Sequence, residues 1–314
     1  MAVTLAQAAV LSNNDLQRGV VETFVISSPV LDRIPLLGIQ GNAYAYNSES
    51  TLPGVEFRAV NAAYAESTGS FVQTTESLVI LGGDADVDRF IVQTRGNLAD
   101  QRAEQTALKA KALAYKWQDS FINGDVAVDA NSFDGLKKRL AGSQVVAAGV
   151  NGLPVLGASD AERHTFFDAL DSLIAAVPGG PDALYANDLV LGKIRSSGRR
   201  LLMASTERDD FGRPLVLYNG IPFYDIGNKA DGTRIIPQTE TQGTATGSAS
   251  SIYAVKFSGD QGTNGVTALD NGGIDVRDLG EQDAKPVFRT RIEWYTGMAS
   301  FGKGAARLTG VLNA

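Results

Sequence analysis

One histidine, His164, stands in 314 residues. A Ser-His-Asp relay would have to use it. It lies beside Glu162 and Arg163 at the start of a helical pattern, and no G-x-S-x-G elbow occurs in the chain. Its place predicts a structural or solvent-facing role. Cysteine is absent, which removes disulfides, thiolate ligands and cysteine nucleophiles together and fits a protein made in a reducing cytoplasm. With one imidazole and no thiolate, a zinc site would have only carboxylates to draw on.

Two motifs imitate ligand loops. Asp84-Ala85-Asp86-Val87-Asp88 has the opening of a calcium loop, but its sixth position is Arg89 where a turn glycine is needed. Its twelfth is Arg95 where a bidentate glutamate is needed. Three Asp at period two read more simply as the wet face of a strand. Gly297 to Lys303 spells G-x-x-x-x-G-K, the skeleton of a phosphate cradle. The next residue is Gly304, not a magnesium-binding Ser or Thr, and only ten residues remain for a flanking helix. The match reads as chance in a glycine-rich tail. No carboxylate pair stands out for acid–base work. No catalytic, cofactor-binding or metal residue is therefore assigned, no cofactor is expected, and the chain reads as a non-enzyme.

The net charge is −7. A protein that grips phosphates needs a basic patch. The dense basic stretches, Lys137-Lys138-Arg139 and Arg195 to Arg200, read as solvated helix faces or ends. No run of about 18 apolar residues exists to span a membrane, and Met1 to Val10 lacks the basic start of a signal peptide. A chain this long can bury a core unaided, and its 34 glycines predict many turns.

The secondary-structure signals along the chain fall into a recognisable order. Residues 1–27 carry a thin apolar stripe, Leu5, Ala8 or Ala9, Leu16 and Val20, broken by Ser12-Asn13-Asn14; such a stripe needs a partner surface. Residues 42–83 mix aromatic and β-branched residues with Ser, Thr, Glu and Gly. Phe57 and Ala59, then Phe71 and Gln73, suggest two strands joined by Ala65 to Ser70, a long hairpin too poor in apolar residues for a core of its own. Ala103, Ala107, Ala110, Ala114, Trp117 and Phe121 then mark a helix from roughly Leu98 to Asn123, capped by Asn97 or Asp100 and ended by Gly124. Its span of about 39 Å suits a spine. A short helix follows with Phe133, Leu136 and Leu140 on one side.

Residues 141–270 read as a compact α/β unit. Phe166 or Phe167, Leu170, Ile174 and Val177 mark a helix before Pro178-Gly179-Gly180. Ala183 to Ala186 is a strand, and Asn187 caps a helix with Leu191, Ile194 and Leu201 on its apolar face. Pro214 to Tyr218 and Ile221 to Ile226 flank Asn219-Gly220, the strongest short hairpin signal. The polar stretch 227–250 reads as a loop and Ile252 to Phe257 as a strand. Val287 to Tyr295 alternates, with Phe288, Thr290, Ile292 and Trp294 on one face.

This order resembles the Hong Kong 97 capsid fold of tailed-phage major capsid proteins, shared with encapsulin shells. Glu49-Ser50-Thr51-Leu52-Pro53-Gly54-Val55, Gly82 to Asp88, Phe133-Asp134-Gly135-Leu136, Ala186-Asn187-Asp188, Asn219-Gly220-Ile221-Pro222 and Arg291-Ile292-Glu293-Trp294-Tyr295 look like the phage branch. The resemblance implies an α+β fold: an N-terminal arm at 1–41, an extended β-hairpin loop at 42–83, a peripheral domain with the spine helix at 84–140 and 271–300, and an axial α/β domain at 141–270 and 301–314. It implies self-assembly into pentamers and hexamers of an icosahedral head around double-stranded DNA, without sequence-specific DNA binding and away from membranes. It also implies a portal, with scaffolding and decoration proteins as further partners, assembly in the bacterial host cytoplasm and residence in the virion. Some relatives cross-link through a lysine on the extended loop; residues 42–83 hold none, so non-covalent contacts are expected. Residues 1–41 are too short for a fused scaffolding domain, and a start at the initiator Met1 implies no N-terminal processing. The alternatives are an encapsulin-type compartment, a tail-tube subunit and a cytoplasmic hydrolase with a carboxylate site.

Overall fold

The computed structural model describes residues 3–4, 19–20, 23, 28–95, 101–201, 205–208 and 214–313. Leu5, Ala8, Ala9 and Leu16 of the expected arm stripe, and the caps Asn97 and Asp100, lie outside the described residues. Val20 is described and buried.

In chain order the first half holds strands β1 (Val3–Thr4), β2 (Pro35–Gly38), β3 (Ala43–Thr51), β4 (Ser70–Ser77) and β5 (Val79–Asp88). Helices α1 (Arg89–Arg95), α2 (Gln101–Asn123) and α3 (Leu136–Arg139) follow, then the short strands β6 (Val145–Ala147) and β7 (Leu153–Pro154). The second half runs α4 (Asp160–Ala175), β8 (Ala183–Ala186), α5 (Asp188–Leu201), β9 (Ser205–Arg208), β10 (Pro214–Tyr218), β11 (Ile221–Asp225) and β12 (Glu240–Gln242). It closes with the long strands β13 (Ala245–Val255), β14 (Gly265–Glu281), β15 (Val287–Phe301) and β16 (Ala305–Leu312).

These elements form three sheets: a five-stranded one in the order β1-β2-β14-β15-β5, a nine-stranded one with β8 near its middle, and the two-stranded hairpin β3-β4. Alternation along the central strands builds two cores. Ala183 and Tyr185 of β8, with Tyr253 and Val255 of β13, join a core shared with α2 and the five-stranded sheet. Their neighbours Leu184, Ala186, Ile252 and Ala254 face the opposite core under α4 and α5. Two-sided burial explains why these strands read as unbroken apolar runs.

The spine α2 spans about 34 Å at 1.5 Å per residue. Trp117 is its anchor. The indole stacks on Phe121 and on Trp294 of β15, with ring centroids 5.5 and 5.9 Å away, and its Nε1 donates to Thr296 Oγ1 at 3.1 Å. The alanine face divides: Ala110 and Ala114 are buried, Ala103 and Ala107 exposed. Local signals elsewhere act as their chemistry dictates. Asn187 Oδ1 accepts the Val190 N–H at 2.8 Å and caps α5. Asn219 and Gly220 take φ of 50° and 77° between β10 and β11, the primed turn that matches strand twist.

Three expectations need correction. The first strand of the extended hairpin is Ala43–Thr51, and Phe57 and Ala59 lie in irregular chain beyond it. Among the residues of that strand whose burial is described, only Tyr46 is buried, so its apolar alternation is too faint to read. The stretch 227–250 is not one loop, because β12 and the start of β13 pair there. Finally, Arg139 is no solvated basic residue: it is turned inward against Glu76.

Candidate assembly interface

The residues that imitated chemistry are dispersed. His164 is exposed on α4. The G-x-x-x-x-G-K stretch is the end of β15 and its turn into β16, strand-turn-strand with no helix to meet a phosphate. Asp84 and Asp86 lie on β5 opposite β15. Asp84 accepts from Arg291 Nε and Nη2 at 2.7 and 3.0 Å, and Asp86 accepts from Arg289 Nε and Nη2, both at 2.7 Å. Hydrogen bonds from those guanidinium groups hold both carboxyls below the ordinary aspartate value, against partial desolvation. The row is an ion-pair ladder across two strands, a refinement of the wet face expected. Among the described residues no three His, Cys, Asp or Glu gather closely enough to hold a metal.

What the fold does assemble is an extended hairpin with a fixed root and an uncovered tip. β3 and β4 pair from Ala43↔Ser77 to Thr51↔Ser70. At the far end the Thr51 and Ser70 hydroxyls hydrogen-bond at 2.6 Å. Between them residues 52–69 make no strand, and every one is exposed. Their order comes from local polar bonds. Ala65 N–H donates to Glu56 Oε1 at 2.7 Å, Ser67 Oγ to the Gly54 carbonyl at 2.9 Å, and Arg58 Nη1 to the Ala62 carbonyl at 3.2 Å. The apolar side chains have no such partners. Val55 and Phe57 are as exposed as in an unfolded chain, at 96% and 108%, and Leu52, Val60 and Tyr64 are also largely exposed. Each such side chain forgoes about 1.5–3 kcal/mol that burial would supply, and five of them within thirteen residues make the tip a candidate contact surface.

The root is the opposite case. Tyr46 is buried, its ring meeting Phe301 edge-on at 5.0 Å while its hydroxyl donates to the Ser300 carbonyl at 3.0 Å. One residue before the end of β4, Glu76 forms a largely buried two-pronged pair with Arg139 of α3. One prong, Arg139 Nη2 to Glu76 Oε2, measures 2.7 Å. Arg139 also donates to the carbonyls of Asp134, through Nε at 2.6 Å, and Met298, through Nη2 at 3.2 Å. Burial and the nearby Glu76 carboxylate push the Tyr46 phenol above its ordinary value, and pairing with Glu76 raises Arg139 despite its desolvation. Both groups keep one charge state across the physiological range. Sequence reading missed this clamp because its charges stand 63 residues apart; the cue was a basic run directly after the buried Leu136.

Further exposed apolar groups mark the spine side. Ile80 and Tyr295 face each other across β5 and β15, and Phe90, Ile91 and Leu108 are exposed on α1 and α2. β5 is also a sheet edge, with backbone groups open to pairing.

Solved structures with a similar fold include an encapsulin, a capsid and a phage chain. The SrpI encapsulin complex from Synechococcus elongatus PCC 7942 matches 100% of the chain and 98% of its own, with a TM-score of 0.66 and 17% identity. The capsid of a native GTA particle matches with a TM-score of 0.63 and 16% identity over 91% of this chain and 90% of that one. A chain of Mycobacterium phage Bobi gives 0.59 and 17% identity over 90% and 89%. The chain has the Hong Kong 97 capsid fold. A family model described as major capsid protein GP7 matches residues 12–156. No curated protein matches the sequence. Within the Hong Kong 97 fold, the arm, hairpin and spine all fall inside or overlap the span matched by the capsid model, and the chain resembles the major capsid proteins of tailed phages.

Proposed function

We propose that the chain is a phage major capsid protein that self-assembles into pentamers and hexamers of an icosahedral head around double-stranded DNA, held by non-covalent contacts. The observation that carries this reading is the rooted hairpin with an uncovered apolar tip. A monomer gains nothing by exposing Leu52, Val55, Phe57, Val60 and Tyr64 together, whereas a neighbour can bury them. A closed shell needs contacts between different patches of identical chains, and a projecting arm supplies one. Residues 84–140 and 271–300 would form the peripheral domain, and 141–270 with 301–314 the axial domain around the rotation axes. The net charge of −7 suits a container that must not hold its DNA at every point. The partners are other copies, a portal, and scaffolding and decoration proteins; assembly takes place in the host cytoplasm and the product resides in the virion.

Full-length coverage of the SrpI encapsulin favours a second reading, a protein compartment. Expression followed by negative-stain microscopy tests both. Closed spheres are expected, and Phe57→Asp should leave soluble subunits that do not close. Persistent compact monomers of the parent chain would sink both readings. Nuclease-protected DNA in particles from infected cells supports the phage head, and a cargo enzyme in its place supports the compartment.

A further inference from the structure

Five Asn-Gly pairs occur: Asn123-Gly124, Asn151-Gly152, Asn219-Gly220, Asn264-Gly265 and Asn271-Gly272. Glycine has no Cβ to shield its backbone nitrogen, which is a latent nucleophile towards the preceding side-chain amide. The fold restrains three of the pairs. Gly124 N–H is bonded to the Ser120 carbonyl at 2.9 Å. Gly152 and Gly265 are packed so closely that a Cβ would strike Gly310 and Ser258 respectively. Around Gly220 and Gly272, by contrast, nothing lies within 4 Å of an added Cβ.

Asn271 is distinguished by what its amide holds. The β14–β15 register breaks between Asp270 and Ile274, and Gly272 and Gly273 take φ of 87° and 77°. The Asp270 carboxylate secures this bulge, accepting Trp294 Nε1 at 2.7 Å and the Gly273 N–H at 3.1 Å. From the bulge, Asn271 Nδ2 reaches out and donates to the Gly41 carbonyl at 2.9 Å. Gly41 immediately precedes the hairpin, next to the bond from Leu78 N–H to the Asn42 carbonyl at 2.8 Å.

We propose that Asn271 is a spontaneous deamidation site, and that its conversion releases one link, at Gly41, between the hairpin root and the five-stranded sheet. The Gly272 backbone nitrogen gives its proton to solvent base and attacks Asn271 Cγ. The new N–Cγ bond closes a succinimide as the Cγ–Nδ2 bond breaks, and Nδ2 leaves as ammonia after taking a proton from water. Water then opens the ring to aspartate or isoaspartate; nothing is oxidised or reduced. Aspartate sets a carboxylate oxygen against the Gly41 carbonyl oxygen, two acceptors with no proton to share; isoaspartate reroutes the main chain through Cγ and leaves its carboxylate on Cα, so neither product keeps the amide donor that reached Gly41. The link is lost, one negative charge is added, and the hairpin loosens with the age of the protein.

The test incubates the full chain at mildly alkaline pH and follows each pair by peptide mapping with fragmentation that resolves isoaspartate. Acid at position 271 is expected to accumulate about tenfold faster than at Asn123 or Asn264, whose neighbours are restrained by packing. Asn271→Gln should remove the signal while keeping an amide donor. Asn271→Asp, which starts at the product, should speed hydrogen exchange at 39–43 relative to the parent. An intact amide at 271 while Asn219 converts would overturn the site. Equal exchange at 39–43 in Asn271→Asp and the parent would overturn the release.

Discussion

The nine-stranded sheet and the extended hairpin solve opposite problems with similar strands. β8 is four residues long and buried on both faces, so each of its side chains enters one of two cores. The hairpin pairs strands of nine and eight residues yet commits little more than Tyr46 to a core, the small cluster with Leu269, Ala299 and Phe301. The first region buries its apolar side chains within the chain, and the second leaves them exposed at its tip. In the body, hydrophobic residues set stability. On the hairpin tip they stay exposed, and a largely buried ion pair ties the root to the body.

The most damaging way to probe that contrast is to hollow the body. Trp117→Ala removes the indole that joins Phe121, Trp294 and Thr296, and should cost about 3–5 kcal/mol, read as a large fall in the denaturant midpoint and in soluble yield. Next comes the clamp. Glu76→Ala leaves the largely buried Arg139 without its carboxylate partner, and should cost about 2–3 kcal/mol. Glu76→Gln, which keeps a hydrogen-bond acceptor, should recover part of that loss in the same melt. The tip is the reverse case: Phe57→Ser should shift the unfolding midpoint of isolated subunits by less than about 0.5 kcal/mol and still abolish closed particles in light scattering. A tip variant that melts early would erase the distinction between the two regions.

Acid gives the smallest effect and sharpens the comparison by sign. Asp84 and Asp86 have carboxyl values lowered by Arg291 and Arg289, so their contribution is present above the ordinary aspartate value and fades as pH falls through the lowered one. Asp270, raised chiefly by burial, has the opposite dependence, since the folded state takes up its proton more readily than the unfolded chain. Asp84→Asn should therefore flatten the acid limb of the stability curve slightly, and Asp270→Asn should steepen it. Thermal melts between neutral pH and pH of about 3 measure both slopes.

Much of the body was legible because its signals are local. The alanine-to-Phe121 periodicity gives the spine, Asn187 announces a cap, and Asn219-Gly220 announces a turn; each needs only neighbouring residues. The strand Ala183–Ala186 reads at once because two-sided burial leaves no polar interruption. The root clamp was not legible, since Glu76 and Arg139 meet only after the chain has run through the spine. β14 was hidden for another reason: its second half, Gly-Gly-Ile-Asp-Val-Arg-Asp-Leu-Gly, carries bulges and a wet face, and it is a strand chiefly because β15 lies beside it. At the tip, Phe57 and Ala59 imitated a strand because these exposed residues carry the apolar character usual in a core.

The hydroxyl contact between Thr51 and Ser70 has a consequence for how such a chain can diversify. Residues 52–69 leave the hairpin and return to it at one point, and their own hydrogen bonds shape them. The segment is a cassette. Changing its length costs the body only the slow logarithmic growth of loop entropy, and changing its letters touches neither core. Drift or engineering can therefore rewrite the exposed surface of the tip while the scaffold behind it keeps its fold; under the proposed shell function, new lattice geometries would be reachable through this short stretch without first passing through an unstable subunit.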